Sequence, residues 1–125
     1  MEKAYLDLDG YWGCVVIYDY DTKQEYDNLL SITESFGLSP KQARRSLDIL
    51  SAPNTGMTVT FPDIRMSLIM ISRATSREQM YNTIGHEAYH ATCGIIRFYG
   101  SEMCSEDAAY TMGEIMRQIV TEMSI

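Results

Sequence analysis

Cysteine is scarce in this chain and odd in number: Cys14, Cys93 and Cys104, with no CxxC pair. That argues against both a disulfide framework and a cysteine-rich zinc knuckle. Basic residues are also short. Ten Lys and Arg stand against seventeen Asp and Glu, a net charge of -7, so no nucleic-acid partner is expected. No apolar run approaches the roughly 18 residues that span a bilayer, and MEKAYLDLDG lacks the basic-then-apolar pattern of a secretory signal. The expectation is a cytoplasmic protein with no membrane partner. No repeat, charge block or Gly/Pro/Ser linker divides the 125 residues, which predicts a single domain over residues 1–125.

Hydrophobic residues make up 46% of the chain, enough for one core that helices and strands must share. The nine methionines read as adaptable core filler. Leu6 and Leu8 alternate with Asp7 and Asp9, and Asp9-Gly10 offers the positive-φ turn of a tight hairpin. Tyr11 to Tyr18 continues it with aromatic and β-branched residues. Thr22 with Glu25 is spaced as a capping box. Tyr26, Leu29, Leu30, Thr33 and Phe36 then recur at helical spacing up to a stop at Gly37. Ser39-Pro40-Lys41-Gln42 opens a second helix, with Ala43, Leu47 and Leu50 inward. Met57 to Phe61 alternates as a strand. Pro62-Asp63 is turn-like, and Ile64 to Ile71 reads as a well-covered strand. Ser76 with Gln79 caps a long helix to about Phe98. A last helix runs from about Glu102 or Ser105 to Glu122. The order ββααββαα predicts an α+β fold with a small mixed or antiparallel sheet.

The chain has two histidines, and both belong to His86-Glu87-Ala88-Tyr89-His90, an HExxH sequence inside the long helix. Random placement would produce that spacing with Glu in second position about once in a thousand arrangements. In a helix, positions 86 and 90 lie about 40° apart on one face and about 6 Å apart along the axis. Two imidazoles so placed can converge on one metal ion. Glu87, about 100° round, can reach a water on that ion without being a ligand. Zinc lowers the pKa of bound water to about 7, and a neighbouring carboxylate accepts its proton. Met80, Ile84, Ala88, Ala91, Ile95 and Phe98 form an apolar stripe on the other side, so the helix packs on its back. Gly85 costs about 1 kcal/mol against alanine in a helix, which either a close approach beside the metal or a chance helix break would explain.

A hydrolytic zinc site needs a third protein ligand and one open position. Position 96 is Ile, which excludes the HExxHxxGxxH pattern. Cys93 shares the ligand face but is short and nearly a turn beyond His90. The final helix offers Glu102, Glu106, Asp107 and Glu114. Glu106, Ala109, Tyr110, Gly113 and Arg117 share a face of small and polar residues, which Glu106 opens, making it the leading candidate. Glu102 remains open, although a helix starting at Ser105 leaves it in the loop, and Glu114 points elsewhere. Tyr110 either holds that carboxylate, donates to an oxyanion, or is a core tyrosine with a satisfied hydroxyl. Asp107 either orients a histidine or caps the helix.

With HEAYH followed by SEDAAYTMG, the segment Ser76 to Ile119 resembles zincin metallopeptidases of the gluzincin kind. It resembles in particular the small single-domain zincin-like proteins of phages and mobile elements. The resemblance implies a Zn2+ peptidase acting on a peptide or protein substrate. His86, His90 and Glu106 would be its metal ligands and Glu87 its general base. It also implies a sheet packed beside the active-site helix, with an edge strand that holds an extended peptide. Larger members carry a second domain as the far wall of the cleft. Here that wall is missing or made by Lys23 to Ser51.

Overall fold

In the computed structural model, which describes residues 1–125, alternation builds the sheet. β1 (Glu2–Leu8) buries Ala4, Leu6 and Leu8 and leaves the side chains between them exposed. It turns at Asp9 and Gly10, whose φ values of 49° and 77° are the left-handed pair a tight hairpin needs. β2 (Trp12–Tyr18) returns antiparallel, Leu8 facing Trp12. The chain then leaves the sheet through two helices, α1 (Tyr26–Phe36) and α2 (Pro40–Leu50). β3 (Gly56–Phe61) and β4 (Met66–Ile71) follow, antiparallel to each other. β4 enters beside β2 in parallel, so the order across the mixed sheet is β1-β2-β4-β3. Helices α3 (Arg77–Phe98) and α4 (Glu106–Met123) complete the chain. No helix is long and apolar enough to cross a membrane.

Helices cover both faces of this sheet. On one side Leu6, Cys14, Val16, Ile69 and Ile71 meet Ile84, Ala88, Ala91 and Ile95 of α3 and Ile115 and Ile119 of α4. On the other, Val15, Ile17, Leu68 and Met70 meet Leu29 of α1 and Leu47 and Leu50 of α2. β2 and β4, central and covered twice, are therefore almost continuously apolar. The apolar stripe of α3 points inward as its spacing predicts, except that Phe98 at its end is partly exposed.

The ends of the elements show where local signals held. Ser39 and Gln42 form the complete capping box, with Pro40 at the first helical position. Gly37 ends α1 in the left-handed conformation. Ser76 and Ser105 each accept the amide three residues on, which starts α4 at Glu106 and leaves Glu102 in the loop. Thr22, spaced as a cap for α1, is not one. Its hydroxyl donates to the Leu50 carbonyl, tying the chain to the end of α2, while the Asp21 carboxylate accepts from the Lys23 and Gln24 amides. β4 also begins later than its apolar run. Pro62–Ile64 forms a 3-10 turn, and Arg65, at φ 50°, reverses the chain before Met66.

Candidate active site

α3 reaches the sheet at its edge, where β3 has one side unpaired. Two glycines set that approach. Gly94 leaves no Cβ, and one placed there would overlap the Thr60 side chain. At Gly56 a Cβ would come 2.6 Å from Glu87 Cγ. The helix therefore lies close along β3. A groove of about 390 Å3 runs between them, lined by Gly56, Thr58, Thr60, His86, Glu87 and His90 among others.

His86 and His90 face this groove together. Their Nε2 atoms are 3.1 Å apart, and the rings stand edge to face with centroids 4.7 Å apart. Nitrogens bound to one tetrahedral zinc at about 2.0–2.1 Å lie about 3.3 Å from each other. The observed separation is close to that value. Two neutral imidazoles can make this contact as a hydrogen bond only if a single Nε2 carries the proton. Two facing lone pairs instead call for a cation between them. The pair thus fits two sites of one metal ion.

Glu87 is 3% exposed, on the side of α3 that meets β3. Its Oε1 accepts a hydrogen bond of 2.9 Å from Thr58 Oγ1, and its Oε2 lies 3.9 Å from His86 Nε2. The carboxylate thus sits beside the histidine pair, as the 100° step along the helix requires.

Glu106 and Tyr110 do not join the histidines. The face of α4 that buries is Ala108, Thr111, Ile115 and Ile119. The face of small and polar residues that Glu106 opens points to solvent instead, because larger apolar side chains claim the contact with α3 and the sheet. Glu106 lines a separate hollow with Tyr89, Thr92 and Met103. The Tyr89 ring, its centroid 6.0 Å from that of His90, adjoins both sites. Tyr110 is 75% exposed and lines a third hollow, with Tyr11 and Tyr99. Asp107 borders that same hollow.

Glu114 is held by Arg117 at 2.6 Å and by Gln118, and these bonds pull its carboxyl down to about 2. Cys93 lines the histidine groove, and its contact with Tyr89 pushes that phenol above its ordinary range. No third His, Cys, Asp or Glu side chain gathers with the histidines into a metal site. As arranged, the donor set is two imidazoles. Gly85 faces open space, so no packing contact explains it.

Lys23 to Ser51 does not build the far wall of the groove. It forms α1 and α2 on the opposite face of the sheet, where their apolar stripes are buried. Only Ile49 comes round to the end near His86. The residues the motif did not reveal are Gly56 and Thr58, two apart on β3. A small residue alternating with an apolar one, Gly56-Met57-Thr58-Val59-Thr60, was the available signal for a strand face pressed against a helix.

Comparison with known protein families, with curated proteins and with solved structures finds no match for this chain.

Proposed function

We propose that this protein is a zincin-like, zinc-dependent peptidase that hydrolyses peptide bonds in the groove between α3 and β3. The observation that carries the proposal is the convergence of His86 and His90 Nε2 at 3.1 Å, with the Glu87 carboxylate beside them. His86 and His90 would hold the metal, with Glu106 the third ligand that the resemblance to gluzincins implies. Tyr89 adjoins both Glu106 and His90, so the proposal requires that carboxylate to reach past it. When bound, zinc supplies the Lewis acidity that activates water and polarises a carbonyl.

The chain's own groups do the rest. β3 offers unpaired backbone donors and acceptors along its free edge, to which an extended peptide can add as a further strand. That addition would lay the peptide along α3, past the histidines. Glu87 accepts a proton from the attacking water and passes it to the leaving amine. Its burial beside Thr58 keeps it out of bulk water and near the His86 nitrogen. Tyr110, which lines a different hollow, has no part in this scheme.

A second reading draws on the two-imidazole donor set: a zincin-like scaffold that binds a peptide along β3 without cleaving it. One experiment separates the two. Zinc content and hydrolysis of a mixed peptide pool are measured for the wild type and for Glu87→Gln. Glutamine keeps the shape but accepts no proton, so the peptidase should retain zinc and lose cleavage. Full activity in Glu87→Gln would refute the role of Glu87. A wild type that holds zinc and cleaves nothing would favour the scaffold.

A further inference from the structure

We propose that Thr58 is a positioning residue, which fixes the Glu87 carboxylate by one oxygen so that the other is the atom that takes the proton. This rests on the peptidase reading for its chemistry, but its geometry stands independently. A carboxylate as buried as that of Glu87 needs a donor. The Thr58 hydroxyl is the side chain that supplies one, at 2.9 Å from Oε1. The same hydroxyl lies 3.2 Å from the Glu87 backbone carbonyl. It has one proton to give, and the charged, nearer oxygen is the stronger acceptor. Oε1 is therefore occupied. Oε2 is the oxygen left free, and it is the one turned toward His86 Nε2, at 3.9 Å.

Gly56 closes the seat from the other side. A Cβ there would stand 2.6 Å from Glu87 Cγ and 2.8 Å from Oε2, so any other residue would displace the side chain it now walls. Gly56 and Thr58 project from the same face of β3, one strand repeat apart. The strand proposed to receive the peptide is thus also the one that aims the base. Thr58 touches neither substrate nor metal in this scheme and acts only through Glu87. Loss of that aim should appear in the chemical step, because a small misplacement of a reacting group costs up to about a hundredfold.

The test compares Thr58→Val, Thr58→Ser and the wild type by crystal structure, zinc affinity and steady-state kinetics. Thr58→Val keeps the shape and removes the donor. Its Glu87 carboxylate should leave the seat, its zinc affinity should stay within about twofold of wild type, and its kcat should fall about tenfold to a hundredfold with KM unchanged. Thr58→Ser should restore both the conformer and kcat. If Thr58→Val does not fold, Thr58→Cys, which keeps the bulk with a weak donor, is read by the same three measurements. A carboxylate that keeps its place without the hydroxyl overturns the proposal. So does an equal loss of kcat in the Val and Ser variants, which would mark damage to the strand. If the wild type cleaves no peptide, the peptidase reading fails, and the Glu87 conformer in Thr58→Val still decides whether Thr58 positions it.

Discussion

Thr60 and Gly94 meet so closely that the helix carries no side chain where the strand passes it. The contact couples the width of the groove to a single missing methyl group. Gly94→Ala would push β3 and α3 apart, since the neighbour is a β-branched side chain fixed in a sheet. Overpacking of this kind costs about 1–3 kcal/mol, which outweighs the gain of about 1 kcal/mol from alanine in a helix. Denaturant unfolding should show a net loss of stability. Gly85→Ala is its control. A Cβ there meets nothing, so the same substitution nine residues earlier should stabilise the protein by up to about 1 kcal/mol. Equal effects at the two positions would contradict the packing described.

If the proposed site holds zinc, its binding should depend on both histidines. His86→Ala and His90→Ala each leave a single imidazole in the groove, and a lone imidazole cannot share a chelated ion. Titration calorimetry should show a loss of affinity of at least about a hundredfold for either variant, larger than removal of a neighbouring supporting group would cause. Retention of tight binding in either variant would place the metal elsewhere.

Glu106→Ala tests the third ligand separately. If Glu106 reaches the metal past Tyr89, removing its carboxylate should lower zinc affinity at least about tenfold. It should lower the unfolding midpoint of the metal-free protein only slightly, because Glu106 is exposed and loses no more than its charge interaction with the N-terminus of α4. An unchanged zinc affinity would remove Glu106 from the site and leave the two histidines as its protein ligands.

Tyr20 offers a test away from the groove. Its ring is buried between the end of β2 and the helices, and its hydroxyl has no hydrogen-bond partner. Burial raises its pKa above the ordinary phenol range. Below about pH 10 the folded and unfolded chains both keep the proton. Above that, the unfolded chain releases it while the folded chain holds it, so this group lowers stability as pH rises. Tyr20→Phe should therefore stabilise the protein by up to about 1 kcal/mol near neutrality, by removing an unpaired polar group. It should also flatten the loss of stability above about pH 10. A destabilised variant would mean that the hydroxyl has a partner.

The order of the elements, the hairpin at Asp9-Gly10, the capping box at Ser39 and the pairing of His86 with His90 were legible in the sequence. Each depends on residues within four or five positions, where chain geometry alone sets what can meet. What lay beyond that range was decided by packing. Thr22 has the spacing of a helix cap, yet its hydroxyl serves Leu50, because α2 returns beside it. α4 offers two candidate faces, and the burial of Ile115 and Ile119 turned the one bearing Glu106 and Tyr110 to solvent. That Glu87 would be seated by Gly56 and Thr58, some thirty positions earlier, depends on β4 entering between β2 and β3, which leaves β3 at the edge against α3. Local spacing brought the two histidines together, and the order of strands in the sheet decided what stands opposite them.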